Sequence, residues 1–350
     1  MSGKRITSHC IMLAALTTST AANDQLLEPA DQPPVLGRLA LTYRGAWNVR
    51  ARFKNLGYVP QQSNPGPATG SGVDRFYDDG FNRVDASGNA GGLTSFWGYQ
   101  HASQVPGNDT IVMNSSSVAS GGLSAESARD PQHGFELTCH IPMDAEGHWR
   151  WGFEAAFGFT DLTFEDNRNF LGDVTRISDA FALNGITPPV PPYSGRFGGP
   201  GALIGDSPTR TSAVIPGGAS VVSRSKLDAS LYELRLGPYV EVPLWKRLSC
   251  SLSGGLTAAH LDSTFEFSEA ATMADVDTTL SVAGRDSHGD FLLGGFVAGQ
   301  LSFAVTDRVR LLTGAQFHYL DRFSQSINRR TTELDLTQSV FITAGVGFSF

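Results

Sequence analysis

Residues Glu333 to Phe350 read ELDLTQSVFITAGVGFSF, and this closing stretch decides the fold. Its even positions carry Leu334, Leu336, Gln338, Val340, Ile342, Ala344, Val346, Phe348 and Phe350. Its odd positions carry Glu333, Asp335, Thr337, Ser339, Phe341, Thr343, Gly345, Gly347 and Ser349. Side chains alternate across a strand with a period of two. One face is therefore apolar and the other small or polar, with Phe341 as its exception, and the stretch is a long β-strand.

The same alternation recurs upstream. Leu39, Leu41, Tyr43, Trp47, Val49 and Phe53 share one face of a strand whose other face carries Arg44, Arg50, Arg52 and Lys54. From Gly134 onward three hairpins can be read, with turns near Asp144–Gly147, Trp245–Arg247 and Thr306–Arg308. Pro238 interrupts one strand and lacks a ladder donor, which predicts a bulge there. Between the hairpins lie long polar stretches at 165–226 and 262–289, read as loops. A further short hairpin is read over Thr94–Gln104 and Thr110–Ser116.

The chain has 350 residues, 41% of them hydrophobic, with 39 Gly and 22 Phe. No run approaches the ~18–20 apolar residues of a spanning helix. A barrel crosses a bilayer without one, because only every second residue meets lipid. Lys4 and Arg5, Ile11–Leu16 and Thr20–Ala22 have the layout of a secretory signal over 1–22. Residues 23–38 read as a linker and 39–350 as one barrel domain. Cleavage after Ala22 would move the formal charge from 26 − 34 = −8 to 24 − 34 = −10. So acidic a chain without a basic block excludes nucleic-acid binding. Cys139 and Cys250 each sit on an apolar strand face, which favours two free, lipid-facing thiols over a disulfide.

The final Phe350, in phase with Phe348 and the apolar face, resembles the C-terminal assembly signal of bacterial outer-membrane β-barrels. The resemblance implies a closed antiparallel up-and-down transmembrane barrel in the bacterial outer membrane. Short periplasmic turns would alternate with long extracellular loops. The strand count comes to about ten, falling to eight if 94–116 is loop and rising to twelve if 55–93 hides a hairpin. Implied partners are outer-membrane lipid, lipopolysaccharide and the barrel assembly machinery, and the expected state is a monomer.

In such a barrel the polar faces line the lumen. Arg44, Arg50 and Arg52 on the first strand would point inward, and Arg50 and Arg52 would meet Glu333 and Asp335 on the last, its neighbour on closure. Glu136, Arg150, Glu154, Glu233, Arg235, Glu241 and Arg310 also fall on inward positions. Charges of both signs in a narrow interior must pair, because an unpaired buried charge is costly. The reading is a lumen filled by ion pairs, serving a structural or surface-interaction role or at most a narrow passive pore.

No metal, dinucleotide or phosphate-loop motif occurs, and no cofactor is expected. A hydrolase reading would use a rim pair, His260 with Asp262 or His318 with Asp321. The acids of FYDDGF at 76–81 are read as holding a turn. A soluble lipocalin-like barrel or β-sandwich is the structural alternative, and it reverses every face.

Overall fold

The computed structural model describes residues 37–144, 149–273 and 278–350. The signal segment, most of the linker and the turn beyond Asp144 lie outside them. Eight antiparallel strands close a ring. They are β1 (Arg38–Trp47, continuing as Arg50–Leu56), β2 (Leu123–Ala128, continuing as Gln132–Asp144), β3 (Arg150–Ala182) and β4 (Thr209–Pro243). They continue with β5 (Leu248–Met273), β6 (Thr279–Ala304), β7 (Val309–Leu320, continuing as Phe323–Ile327) and β8 (Arg330–Asp335, continuing as Ser339–Ser349). Each strand pairs with the next, and β8 returns to β1 in a ladder from Arg38↔Ser349 to Trp47↔Val340. The first and last strands are thus the seam, as their patterns require.

Eight replaces the expected ten because the 94–116 segment adds no wall hairpin. Trp97–Tyr99 pairs instead with Gly80–Asn82 and Tyr193–Ser194, whereas Thr110–Ala119 lies along the far end of β3. The expected loops at 165–226 and 262–289 are largely strand. β3 runs for 33 residues and β4 for 35, paired to each other almost throughout. Their upper halves are rich in Ser, Thr and charge, which diluted the alternation. Pro238 makes no bulge. The β4–β5 ladder lapses between Leu236↔Leu256 and Tyr239↔Ser253 and resumes in the same register. Gly254 and Gly255 opposite let the strands close over the missing donor.

In the lower half of the ring the apolar face points out. Leu39, Leu41 and Tyr43 on β1, and Ile342, Val346 and Phe348 on β8, are exposed. Between them Thr42, Arg44, Phe341 and Thr343 are buried inside. In the upper half the apolar face points in, and Val49, Ala51, Phe53, Leu334 and Leu336 are all fully buried. Both strands break to change face. Asn48 adopts the left-handed region at φ 60°, and β8 leaves strand geometry between Asp335 and Ser339. The two breaks are tied together, since Asn48 Nδ2 donates to the Gln338 carbonyl at 2.8 Å. The Asn48 backbone N–H also reaches Asp130 Oδ2 at 3.3 Å, inside the break of β2.

Strands β3 to β6 solve the same problem without breaking. Their residue chemistry swaps faces instead. Outward positions on β3 run Trp151, Phe153 and Phe157, then Asp161 and Glu165, while inward ones pass from Glu154 and Thr160 to Leu162 and Phe164. The switch lies just above a row of rings in lateral register. Phe135, Phe159, Tyr232, His260 and Phe291 stand opposite one another across β2 to β6, with neighbouring centroids 4.6–6.5 Å apart. A lower set of exposed aromatics includes Trp149, Trp151, Trp245, Phe303 and Phe350. From Phe291 to Phe303 on β6 the strand spans ~40 Å at ~3.3 Å per residue. Tilted by ~45°, that gives a height of ~28 Å, comparable with the ~25 Å apolar band of membrane barrels.

Above the rings the wall parts into two sheets. The upper segments of β7, β8, β1 and β2 form a separate four-stranded sheet. Among the described residues no ladder joins Phe323–Ile327 to β6 or Leu123–Ala128 to β3. Side chains span these gaps: Gln325 Nε2 donates to the Asp286 carbonyl at 3.0 Å, and Gln132 bonds both backbone groups of Thr163. Facing residues of the two sheets, among them Phe53, Leu162, Phe164, Leu231, Phe265 and Leu334, build one apolar core. Each such side chain contributes ~1.5–3 kcal/mol when fully buried. Cys139 and Cys250 are free and lie on the outward faces of β2 and β5.

Replacing Asn48 tests the break. Asn48→Val removes the side-chain bond to Gln338 and places a β-branched residue at positive φ. It is expected to lower stability by ~2 kcal/mol, whereas Asn48→Gly keeps the backbone and costs about half as much. Urea unfolding followed by tryptophan fluorescence in detergent micelles measures the difference.

Candidate functional site: a closed lumen beneath a braced cap

An eight-stranded ring leaves an interior just wide enough for side chains to fill. Here charge fills it. Arg44 from β1 bonds Glu233 of β4 through Nη2, and its Nη1 lies 3.6 Å from Glu136 of β2. Arg235 of β4 reaches Glu136 at 2.8 Å and Glu154 of β3 at 3.4 Å. His140 Nε2 meets Glu154 at 3.0 Å, and Gln316 Nε2 donates to Glu136 at 2.9 Å. The guanidinium of Arg44 lies over the Phe341 ring at 3.8 Å, and that of Arg235 over Phe296 at 4.5 Å. Gly158 makes room for the first, since a Cβ there would come within 2.0 Å of Arg44 Nη1. Phe341, the exception on the polar face of β8, is thus the floor on which the central cation rests.

Gln316 and His318 complete the cluster. Gln316 Nε2 donates to Glu136, and its Oε1 lies 3.2 Å from His318 Nε2. His318 Nδ1 lies 2.9 Å from Glu233 Oε1. Three carboxylates (Glu136, Glu154, Glu233), two guanidiniums (Arg44, Arg235) and two imidazoles (His140, His318) thus share one buried network.

A second layer lies beneath. Arg38 bonds Glu241 at 2.5 Å, Arg310 stands 3.7 Å from the same carboxylate, and Arg150 is opposite Glu241 in the β3–β4 register. Above the plug, Leu231, Leu261, Leu292 and Leu320 are buried and belong to the apolar core.

Four expected lumen residues lie elsewhere. Arg50, Arg52, Glu333 and Asp335 face outward, because the breaks at Asn48 and before Ser339 turn the strands over. Their cross-strand pairing holds, with Arg52 opposite Glu333 and Arg50 opposite Asp335. Their ion pairs differ. Arg50 and Arg52 each bond Glu126 at 3.0 Å, Lys54 takes Glu333, and Arg322 approaches Asp335 at 3.5 Å. Phe348 and Phe350 are exposed at the lower end, and the backbone of Phe350 exchanges hydrogen bonds with Gly37.

Sequence patterns did not reveal the part played by His140, Gln316 and His318. Their in-phase position on inward faces was the available signal. Neither rim pair forms. His318 is given to Glu233 and Gln316 while Asp321 is exposed, and His260 is stacked beside Tyr232 and Phe291. Among the described residues no cluster of His, Cys, Asp or Glu has metal-ligand geometry.

A compact cap stands on the upper ends of β3 and β4. Its core is Trp97, Tyr99, Ile111, Met113, Phe181, Leu183 and Ile204. Fully buried Arg75 holds it, donating to the carbonyls of Pro67, Thr69, Gly70, Val73 and Asp206 at 2.8–3.4 Å. The loop from 66 to 74 is wrapped around that one cation. Asp206 returns the favour by accepting from Gly72 at 2.9 Å and Asn89 at 3.3 Å. Bonds from Ser87 above all hold the Asp85 carboxyl down to about 2. The two acids of FYDDGF hold structure, as expected. Asp78 accepts from Ser63 and Ser116, Asp79 accepts twice from Asn114, and burial pushes both carboxyls up.

Neither a protein-family model nor a curated relative matches the chain. Among solved structures, Ail, the attachment invasion locus protein of Yersinia pestis, aligns at 10% identity and TM-score 0.28, covering 90% of this chain and 99% of Ail. Outer membrane protease OmpT of Escherichia coli aligns at 11% identity and TM-score 0.26, covering 92% and 99%. A FadL homologue of Pseudomonas aeruginosa gives 8% and 0.18, covering 89% and 90%. At such scores the fold rests on the strand pairings above.

The plug predicts an asymmetry between breaking and replacing a pair. Arg44→Ala strands Glu233 and is expected to cost ~3–5 kcal/mol, whereas Arg44→Met combined with Glu233→Leu costs far less. Urea midpoints of the two variants decide it.

Proposed function

We propose that the chain is an outer-membrane barrel that conducts nothing and holds a rigid cap at the cell surface as an interaction platform, without enzymatic chemistry. The observation that carries this reading is the combination of an outward apolar band with a lumen closed by the Arg44–Glu233–His318 and Arg235–Glu136–Glu154 network. A pore needs a continuous wet path, and here guanidiniums, carboxylates and a leucine layer occupy it. A hydrolase needs a reactive group with a partner at an open rim, and the rim histidines are engaged elsewhere. Phe348 and Phe350 serve in this reading as the handle for barrel assembly, and the lower turns face the periplasm.

One experiment tests it. Cells expressing Ser71→Cys, with the native cysteines replaced by alanine, are treated with a membrane-impermeant maleimide, and the purified wild-type barrel is placed in planar bilayers. Labelling of intact cells together with no steady conductance is expected. A chain lacking Phe350 should yield less heat-modifiable barrel in the membrane fraction. Steady channel conductance, or a cap cysteine that labels only after lysis, would contradict the reading.

A further inference from the structure

The upper half exposes scattered aliphatic side chains, among them Leu171, Val190 and Val214, and a cluster of aromatic ones on the cap. Phe76 and Phe197 are 42% and 59% exposed, and half-buried Phe81 and Phe96 lie beside them. Phe81 meets Phe96 edge to face at 5.5 Å, and Phe96 meets Phe197 in the same way at 6.2 Å. The Arg83 guanidinium is inserted among them, 5.2 Å from the Phe76 ring centroid and 4.6 Å from that of Phe96. Asp74 holds it there at 3.3 Å and uses its other oxygen on the Val84 N–H at 2.9 Å.

Clustered exposed aromatic side chains with an arginine are the composition of a protein-binding hot spot. This one is built on a rigid base, since the strand that carries Phe76 is anchored by Arg75, and Ala86 N–H bonds the Phe197 carbonyl at 2.8 Å. A patch ordered before binding loses little entropy on contact. It also lies far from the lipid-facing band. Phe181, in the cap core, is ~70 Å of strand beyond Phe159 at ~3.3 Å per residue.

The chemistry narrows the occupant. A sugar ring stacks on a flat, open aromatic face. Here the faces of Phe76 and Phe96 are taken by Arg83, and the rings present edges at 76° to one another. Phenylalanine offers no hydroxyl or N–H for a glycan. Arg196, next to Phe197, is exposed, and Arg83 keeps 36% of its side chain accessible, while Asp74 has committed both oxygens. The patch is therefore apolar, and its rim carries the Arg83–Asp74 pair and one net positive charge from Arg196. A second copy paired face to face would set Arg196 against Arg196 and, among the described residues, offers no carboxylate beyond Asp74, which disfavours self-association.

We infer that this patch is the docking surface of a protein partner that presents apolar side chains flanked by carboxylates. The inference rests on the surface-platform reading and deepens it. Apolar anchors would pack on the edges of Phe96 and Phe197, and the carboxylates would take the free N–H groups of Arg83 and Arg196.

The test uses the whole barrel in nanodiscs and three fluorescein-labelled probes of defined sequence. One is a peptide alternating Glu with Phe and Leu, the second has Lys for every Glu, and the third has Ser for every Phe and Leu. The first should bind and the other two should be at least tenfold weaker, with affinity for the first falling as salt rises. Phe197→Ser and Arg83→Gln should each weaken it at least tenfold while heat-modifiable mobility stays that of wild type. Arg83→Lys should recover part of the loss. Equal binding of all three probes, no binding, or binding that survives both substitutions overturns the proposal. So does patch-dependent binding of phosphatidylglycerol vesicles or of an oligosaccharide panel in place of the peptide. Maleimide labelling of Phe197→Cys on intact cells separates the two claims. Labelling without peptide binding sinks the docking surface alone, and absence of labelling sinks the platform as well.

Discussion

The constraint on which the rest depends is that every wall strand must turn its apolar side chains outward below the ring of aromatics and inward above it. Lipid demands the first and a packed core in water demands the second. A strand has two faces, so it must either turn over or change its composition. Strands β7, β8, β1 and β2 turn over, with breaks around Arg322, Leu336, Asn48 and Pro131. Strands β3 to β6 run through and change composition at one level. The broken strands then leave the ring as a separate sheet, and what is a barrel in the lower half becomes a sandwich in the upper half.

That arrangement accounts for the distribution of charge. Inward positions in the lower half cannot be apolar without making the strand apolar on both faces, and they cannot hold a lone charge in so narrow a space. They hold a network in which Arg44 and Arg235 are set among Glu136, Glu154 and Glu233. Closing the lumen in this way makes the lower barrel a rigid mount. The cap above is stiffened by other means, since Arg75 is satisfied by carbonyls and Asp78, Asp79, Asp85 and Asp206 by N–H and O–H donors. Rigidity at both ends suits a protein that presents a surface.

Much of the fold was legible because period-two alternation is local. The seam between β1 and β8, the turns near 246 and 307, and the free cysteines followed from it. What escaped was the phase. Leu334, Leu336, Val340 and Ile342 share one even-numbered face in the sequence, interrupted by Gln338, yet the first two are buried and Ile342 is exposed. One polar residue on an apolar face does not mark a reversal, and the device that fixes it is the left-handed Asn48 on the neighbouring strand with its bond to the Gln338 carbonyl. Arg50, Arg52, Glu333 and Asp335 were misplaced for the same reason. The upper parts of β3 to β6 were hidden differently. Long serine- and threonine-rich strands resemble loops until a facing sheet supplies the core they cover.

The reversal is tested most directly on β8 itself. Single cysteines at Ile342→Cys and Glu333→Cys, on a background without native cysteines, are labelled with a fluorophore in vesicles. The account predicts that nitroxide-bearing lipid quenches the label at 342 and that iodide in the water quenches the label at 333. A label at 333 shielded from iodide, as a residue inside an unbroken lumen would be, would contradict it.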